Sequence, residues 1–220
     1  MSSQMKLHRL DDHYSRELLT NIRDRETGRE EFRWGLKRLG MLTGIRIAAT
    51  MGYSDVEVET PLGVKARGIS LTEARSVVII NVLRAATPLV EGLLEVFTDA
   101  RIGIVNAKRV ETGNLFPEFD FKIDVPYFNA PKLTRGDTLI VADPMIASGS
   151  TSVAVLDKLL KNGQPKRIIL ASVIAAPIGL ERVHAHYPDA DIYTVAVDEG
   201  LNEHGYIVPG LGDAGDRVSG

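Results

Sequence analysis

Residues 138–151, Thr-Leu-Ile-Val-Ala-Asp-Pro-Met-Ile-Ala-Ser-Gly-Ser-Thr, admit few folds. Leu139, Ile140, Val141 and Ala142 form a continuous apolar run, the pattern of a parallel strand covered on both faces. Asp143 stands where that run ends, and Pro144 stops strand pairing because it has no N–H. Ala147, Ser148, Gly149, Ser150 and Thr151 are all small, and three carry hydroxyls. Beyond them Val155, Leu156, Leu159 and Leu160 share one helix face, which Asn162-Gly163 ends.

The same alternation recurs along the chain. Apolar runs at 74–83, 100–107, 167–175 and 191–197 read as buried strands, and the segments opening at Ala85 and Ile178 read as helices. Strands alternating with helices predict a parallel sheet with helices on both faces. The first twelve residues are polar and read as loosely held. Helices are expected at 14–25 (Leu18, Leu19, Ile22) and at 30–49, where Phe32, Leu36, Leu39, Leu42 and Ile45 recur every three or four residues. Residues 55–69 read as a hairpin turning at Pro61-Leu-Gly63. Residues 111–131, with three prolines and several aromatics, read as an extended hairpin or a flap over the site.

A loop of small residues lets backbone N–H groups approach a ligand closely, and the unpaired N–H groups of a helix start favour an anion. The carboxylate of Asp143, just upstream, suits hydroxyls better than phosphate. One loop can therefore hold a ribose and its 5′-phosphate together, although a plain strand-to-helix turn with a Ser or Thr cap has the same pattern. Neither the Gly-Lys-Ser/Thr of a P-loop nor the three-glycine dinucleotide spacing is present. Arg84 follows one strand. Lys108 and Arg109 follow the next, so two cations at the ligand side of the sheet can clamp a pyrophosphate. Glycines 200, 205, 210, 212 and 215 punctuate the tail around Tyr206-Ile-Val208 and allow backbone to meet a flat ring.

The formal net charge of −3 provides no basic field for nucleic acid. Cysteine is absent, which excludes disulfides and thiolate chemistry and is compatible with a cytoplasmic location. No apolar run is long enough for a membrane span. At 220 residues a single domain is expected: a helical arm at about 1–50, the flap at about 111–131 and the tail at about 198–220.

Residues 141–151 resemble the phosphoribosyl-pyrophosphate loop of uracil phosphoribosyltransferases. Residues 200–217, Gly-Leu-Asn-Glu-His-Gly-Tyr-Ile-Val-Pro-Gly-Leu-Gly-Asp-Ala-Gly-Asp-Arg, resemble the same family's uracil signature. The resemblance implies a type I phosphoribosyltransferase fold with a hood built partly from the tail. It implies the reaction of uracil with 5-phospho-α-D-ribose 1-diphosphate to give UMP and diphosphate, a pyrimidine-salvage step. By resemblance, Asp143, Pro144, Met145, Ile146, Ala147, Ser148, Gly149, Ser150 and Thr151 bind the phosphoribosyl group, and Arg84 and Arg109 contact the pyrophosphate. Ile207, Gly212, Asp213 and Ala214 contact uracil, and Asp213 also meets the sugar diphosphate. Asp143, Arg84, Arg109 and Asp213 form the expected catalytic set. Asp216 and Arg217 are assigned to metal contact or to holding the loop. Lys108 competes with Arg109, because the wording around it departs from the family's.

Some members carry a basic GTP-effector segment where this chain has Trp34, Gly35, Leu36, Lys37 and Arg38, so GTP or CTP is a candidate effector. A dimer or tetramer is expected. Many type I enzymes place two adjacent acids where this chain has Ala142-Asp143. The single acid is the uracil enzyme's pattern, and Mg²⁺ is then expected to arrive with the diphosphate, without dedicated protein ligands. The alternative is a nucleotide-sensing regulator that keeps the fold. Retention of both the phosphate loop and the base loop favours the enzyme.

Overall fold

The computed structural model describes residues 4–110 and 119–220. The chain opens with β1 (Lys6–Arg9), α1 (His13–Arg23), α2 (Arg29–Ala48), a hairpin of β2 (Tyr53–Glu59) and β3 (Lys65–Leu71), and a short 3-10 turn (Glu73–Ser76). Next come β4 (Val77–Leu83), α3 (Thr87–Val96), β5 (Arg101–Arg109) and β6 (Ile123–Asn129). Three divided strands with helices between them follow: β7 (Thr138–Ala142) and β8 (Met145–Ile146), α4 (Ser150–Leu160), β9 (Arg167–Ala171) and β10 (Ile174–Ala175), α5 (Pro177–His186), β11 (Asp191–Thr194) and β12 (Ala196–Val197). The tail adds β13 (Gly200–Leu201), β14 (Ile207–Val208) and α6 (Ala214–Ser219).

Seven strands pair in the order β1-β11-β9-β7-β4-β5-β6. Every neighbouring pair is parallel except β5 with β6. Alternation along the central strands sends side chains to two cores, one on each face. Ile79, Ile140 and Ile169 join Phe32, Leu36, Leu89 and Leu93 beneath α2 and α3. Val78, Ile80, Leu139, Val141 and Leu170 join Val155, Leu156, Leu159 and Val183 beneath α4 and α5. This double burial is the reason 139–142 carries no polar residue. Helices α2 and α3 touch backbone to backbone: a Cβ on Gly92 would lie 1.9 Å from the Lys37 carbonyl oxygen, and one on Gly40 would lie 2.1 Å from that of Leu89.

The first residues are better ordered than their composition suggests. Lys6–Arg9 pairs in parallel with β11 as an edge strand, and Leu10 behind it is buried. An edge strand is held by backbone hydrogen bonds on one side alone, so it needs no apolar run. His8 stacks on Tyr193 with ring centroids 4.4 Å apart, and its Nε2 lies 2.9 Å from Asp191 Oδ1. The expected strands at 167–175 and 191–197 are each broken in two. The pieces beyond the breaks, with β8, make a three-stranded sheet ordered β12-β10-β8. The β2–β3 hairpin forms as expected and pairs with itself alone. Of the expected 111–131 flap, β6 pairs antiparallel to β5, while 111–118 lies outside the described residues. Among the described residues no helix is long and apolar enough to cross a membrane.

Candidate active site

The break between β7 and β8 places Asp143 at the carboxyl edge of the central strand. Its N–H donates to the Ala171 carbonyl at 3.1 Å, and the Pro144 carbonyl accepts from Val173 and Ile174 at 3.0 and 3.1 Å. The Asp143 side chain accepts one hydrogen bond, from the Met145 N–H at 3.2 Å. With protein packed closely round it, burial pushes this carboxyl up to about 6, and the Met145 bond offsets that only in part. A carboxylate so placed has unused acceptor capacity toward the cleft, which suits donors such as sugar hydroxyls.

Ala147–Ser150 turns tightly into α4. Gly149 has φ +79° and sits at the N-cap position, where a Cβ would lie 2.6 Å from the Gly179 carbonyl oxygen. Gly179 in turn leaves no room for a Cβ, which would lie 2.3 Å from the Ala147 carbonyl oxygen. The loop is thus seated directly on the start of α5. Ser148 Oγ donates to Ser150 Oγ at 3.0 Å. Arg182 of α5 donates from Nη1 to the Ser148 carbonyl at 2.5 Å, to Ser150 Oγ at 3.1 Å and to the Phe119 carbonyl at 2.9 Å. Sequence reading missed Arg182, which lies within an ordinary amphipathic helix. Its partners identify it as the brace of this loop.

Arg84 and Asp143 emerge from adjacent strands. Asn81 pairs with Ala142, so β4 runs two residues past the end of β7 before Arg84 leaves it at the same edge of the sheet, and strands lie about 4.8 Å apart. The Leu83–Arg84 peptide is cis. Arg84 Nη2 donates to Asp216 Oδ1 at 2.9 Å, with both side chains more than half exposed. Strand β5 runs through Lys108 and Arg109 and does not stop before them, so the two side chains point to opposite faces. Arg109, not Lys108, lines a small cleft with Met145, Ala147, Gly149 and Thr151. Its guanidinium lies 3.5 Å over the Phe121 ring and donates to the His204 carbonyl at 3.0 Å. Burial draws its proton affinity down, against a smaller opposing effect of Tyr206. Arg109 thus borders the same cleft as the 145–151 loop and is bonded to the tail.

The tail is fully built. Asp213 caps α6 by accepting from the Asp216 N–H at 2.9 Å. Ile207, Leu211, Ala214 and Val218 turn their side chains into the core, while Val208, Pro209 and Gly212 are exposed. Arg217 holds the tail onto the helical arm. It donates to the Leu211 carbonyl at 2.9 Å and to the Asp24 carbonyl at 2.7 Å, bonds the Ile22 carbonyl, and lies 4.2 Å over Phe32. The structure thus brings Asp143, the 144–151 loop, Arg84, Arg109 and the tail to one edge of the sheet. The segment from Trp34 to Arg38 lies on α2, next to Phe32 and Arg33, which contact the tail. Gly35 and Leu36 are buried, Lys37 pairs with Glu95 at 2.9 Å, and Trp34 and Arg38 stack on each other at 3.2 Å. Among the described residues no three His, Asp or Glu side chains gather in a metal-binding cluster.

A mainly parallel sheet with a tight loop of small residues at its carboxyl edge, the tail beside it and arginines at neighbouring strand ends defines the type I phosphoribosyltransferase class. The family model described as uracil phosphoribosyltransferase matches residues 10–220. A uracil phosphoribosyltransferase of Thermococcus gammatolerans is 49% identical over 210 residues, covering 96% of this chain and 91% of that protein. One from Metallosphaera sedula is 47% identical over 203 residues, covering 92% and 94%. The solved structure of the AQ2163 protein from Aquifex aeolicus superposes with a TM-score of 0.85 at 31% identity, covering 97% of each chain. The chain belongs to the uracil phosphoribosyltransferase family.

Proposed function

We propose that this protein transfers the 5-phosphoribosyl group of phosphoribosyl pyrophosphate to N1 of uracil, giving UMP and diphosphate. The observation that carries this reading is the convergence of Asp143, Arg84 and the tail at the ends of β4 and β7. The 147–151 loop offers the unpaired N–H groups of the α4 start to the 5′-phosphate. Asp143, ionised above about pH 6, accepts from the ribose hydroxyls. The C1′–O bond to diphosphate breaks as the N1–C1′ bond forms, through a transition state with oxocarbenium character. Negative charge collects on the leaving diphosphate, where Arg84 and Arg109 stabilise it. Asp216, exposed beside Arg84, holds that guanidinium at the mouth of the cleft. The backbone of 207–214 faces the edge of the base and discriminates it by hydrogen-bond pattern, because a mismatched edge leaves groups unpaired. Holding N1 close to C1′ supplies much of the remaining rate.

Mg²⁺ enters as part of the substrate, bound to the diphosphate, since the single carboxylate of Asp143 makes no cage for it. The cysteine-free composition fits work in the cytoplasm. An effector nucleotide would have Trp34 and Arg38 as its available contacts, beside the acidic Glu30 and Glu31. The chain self-associates through the β2–β3 hairpin. An isolated hairpin is unstable in water, and this one exposes Leu62 (87%), Tyr53 (62%) and Ile69 (61%), which a second copy would cover. Light scattering showing a monomer at micromolar concentration would remove that interface.

The deciding experiment is UMP formation from labelled uracil, with phosphoribosyl pyrophosphate and Mg²⁺, beside cytosine, hypoxanthine and orotate. Turnover of uracil alone is expected. Turnover of another base in preference, or of none, overturns the assignment.

A further inference from the structure

The loop that faces the base is seated on the core through Ile207, Leu211 and Ala214 and is held from below by an ion pair whose carboxylate is buried. Asp198 is buried, and its N–H is anchored to the Ala175 carbonyl at 2.8 Å, at the end of β10. Its Oδ1 accepts from Arg23 Nη2 at 2.5 Å, and its Oδ2 accepts from Arg23 Nη1 at 3.0 Å and from the Gly210 N–H at 2.9 Å. Arg23 Nη1 also donates to the Gly210 carbonyl at 3.0 Å. Both backbone polar groups of Gly210 are therefore fixed by one carboxylate–guanidinium fork. The turn also requires glycine: Gly210 has φ +67°, and a Cβ there would lie 2.1 Å from the Ile207 carbonyl oxygen. Ile207, on one side, and Gly212, on the other, flank this point in the segment that meets the base.

We propose that Arg23 and Asp198 are positioning residues for the base. They set the height and tilt of residues 207–214, and with them the affinity and selectivity for the pyrimidine, without touching the sugar phosphate. The two half-sites are braced from different elements, and the tail's contacts with Arg84 and Arg109 come from Asp216 and His204, outside residues 207–214. The phosphate loop rests on α5 through Gly179 and Arg182, whereas the base loop rests on α1 through Arg23. A disturbance of one brace should leave the other half-site in place. A bidentate guanidinium suits this task because its planar fork fixes orientation as well as distance, which an ammonium does not. The inference rests on the uracil-transferring reading given above.

The test is Arg23→Lys in the full-length protein. Lysine keeps the charge but cannot bridge both Asp198 oxygens and the Gly210 carbonyl. The expected result is a KM for uracil raised by about tenfold or more and a preference for uracil over cytosine reduced by a similar factor, because base selection depends on correctly placed hydrogen-bonding groups. The KM for phosphoribosyl pyrophosphate, and its binding measured directly by calorimetry without uracil, should stay within about twofold, as expected where the two half-sites are independently supported. Asp198→Asn provides the second test if the lysine variant is insoluble. It keeps the shape of the side chain and should show the same split. Uracil and phosphoribosyl pyrophosphate constants rising in parallel, or an unchanged uracil KM in a folded variant, would overturn the proposal. Wild-type protein that uses no uracil would overturn both this role and the assigned reaction. Uracil turnover with an unaffected variant would overturn this role alone.

Discussion

Replacing Asp143 by asparagine should make the protein more stable while removing its activity. Burial raises the carboxyl from 3.8 to about 6 in the folded chain. Each pH unit of such a difference corresponds to about 1.4 kcal/mol, so ionised Asp143 opposes folding by about 3 kcal/mol. The sign follows from the protons bound. A folded-state value above the unfolded one means the native chain binds the proton more tightly. The opposing effect is absent below about pH 4, grows between pH 4 and 6, and is constant above. Asparagine keeps an oxygen for the Met145 N–H and carries no charge. Calorimetric unfolding at pH 8 should therefore show the variant's Tm higher by about 6–12 °C, taking about 2–4 °C per kcal/mol for a chain of this size. At pH 4.5 the gap should shrink to about a third of that, because most of the wild-type carboxyl is then protonated in the folded state. An equal gap at both pH values, or a less stable variant at pH 8, would refute the electrostatic account. Full activity in the variant would remove Asp143 from ribose binding.

Arg84→Ala should lower kcat/KM by about 10²–10³-fold through loss of leaving-group stabilisation. Steady-state kinetics would check it, and wild-type activity would remove the clamp. Gly92→Ala forces a Cβ against the Lys37 carbonyl oxygen and should cost about 1–3 kcal/mol by overpacking, read as a lowered denaturant midpoint. Asp12→Ala removes the α1 cap, in which the Asp12 carboxylate accepts from the Ser15 N–H and hydroxyl at 2.9 and 2.8 Å. It should cost about 1 kcal/mol at neutral pH. Those Ser15 bonds hold the carboxyl below its ordinary range, so this stabilisation is present above pH 4 and is lost as the pH falls through the lowered value. The denaturation midpoints of variant and wild type should converge in acid.

The phosphate loop was legible in the sequence because three local constraints coincide in one segment: an apolar run buried on both faces, a proline that ends it, and small residues before an amphipathic helix. Arg84 was legible for the related reason that the end of a buried strand lies on the ligand side. The choice between Lys108 and Arg109 was not, because it depends on how far β5 extends and on which face each residue then takes. The tail was visible as a motif but not as a structure. Its strands are two residues each and α6 has six, too short for periodicity to register. Arg182 and Arg23 look like ordinary helix surface, and their roles depend on partners 34 and 175 positions away, Ser148 and Asp198. Lys6–Arg9 was missed because an edge strand needs backbone pairing and little apolar surface.

Arg217 binds the last turn of the chain to the carbonyls of Ile22 and Asp24, and Arg33 Nε reaches the Val218 carbonyl at 2.7 Å. The cradle of the base loop and the loop itself are therefore about as far apart in sequence as α1 is from α6. Products truncated near residue 198 should accordingly retain the sugar-phosphate half of the cleft with nothing to receive the phosphoribosyl group.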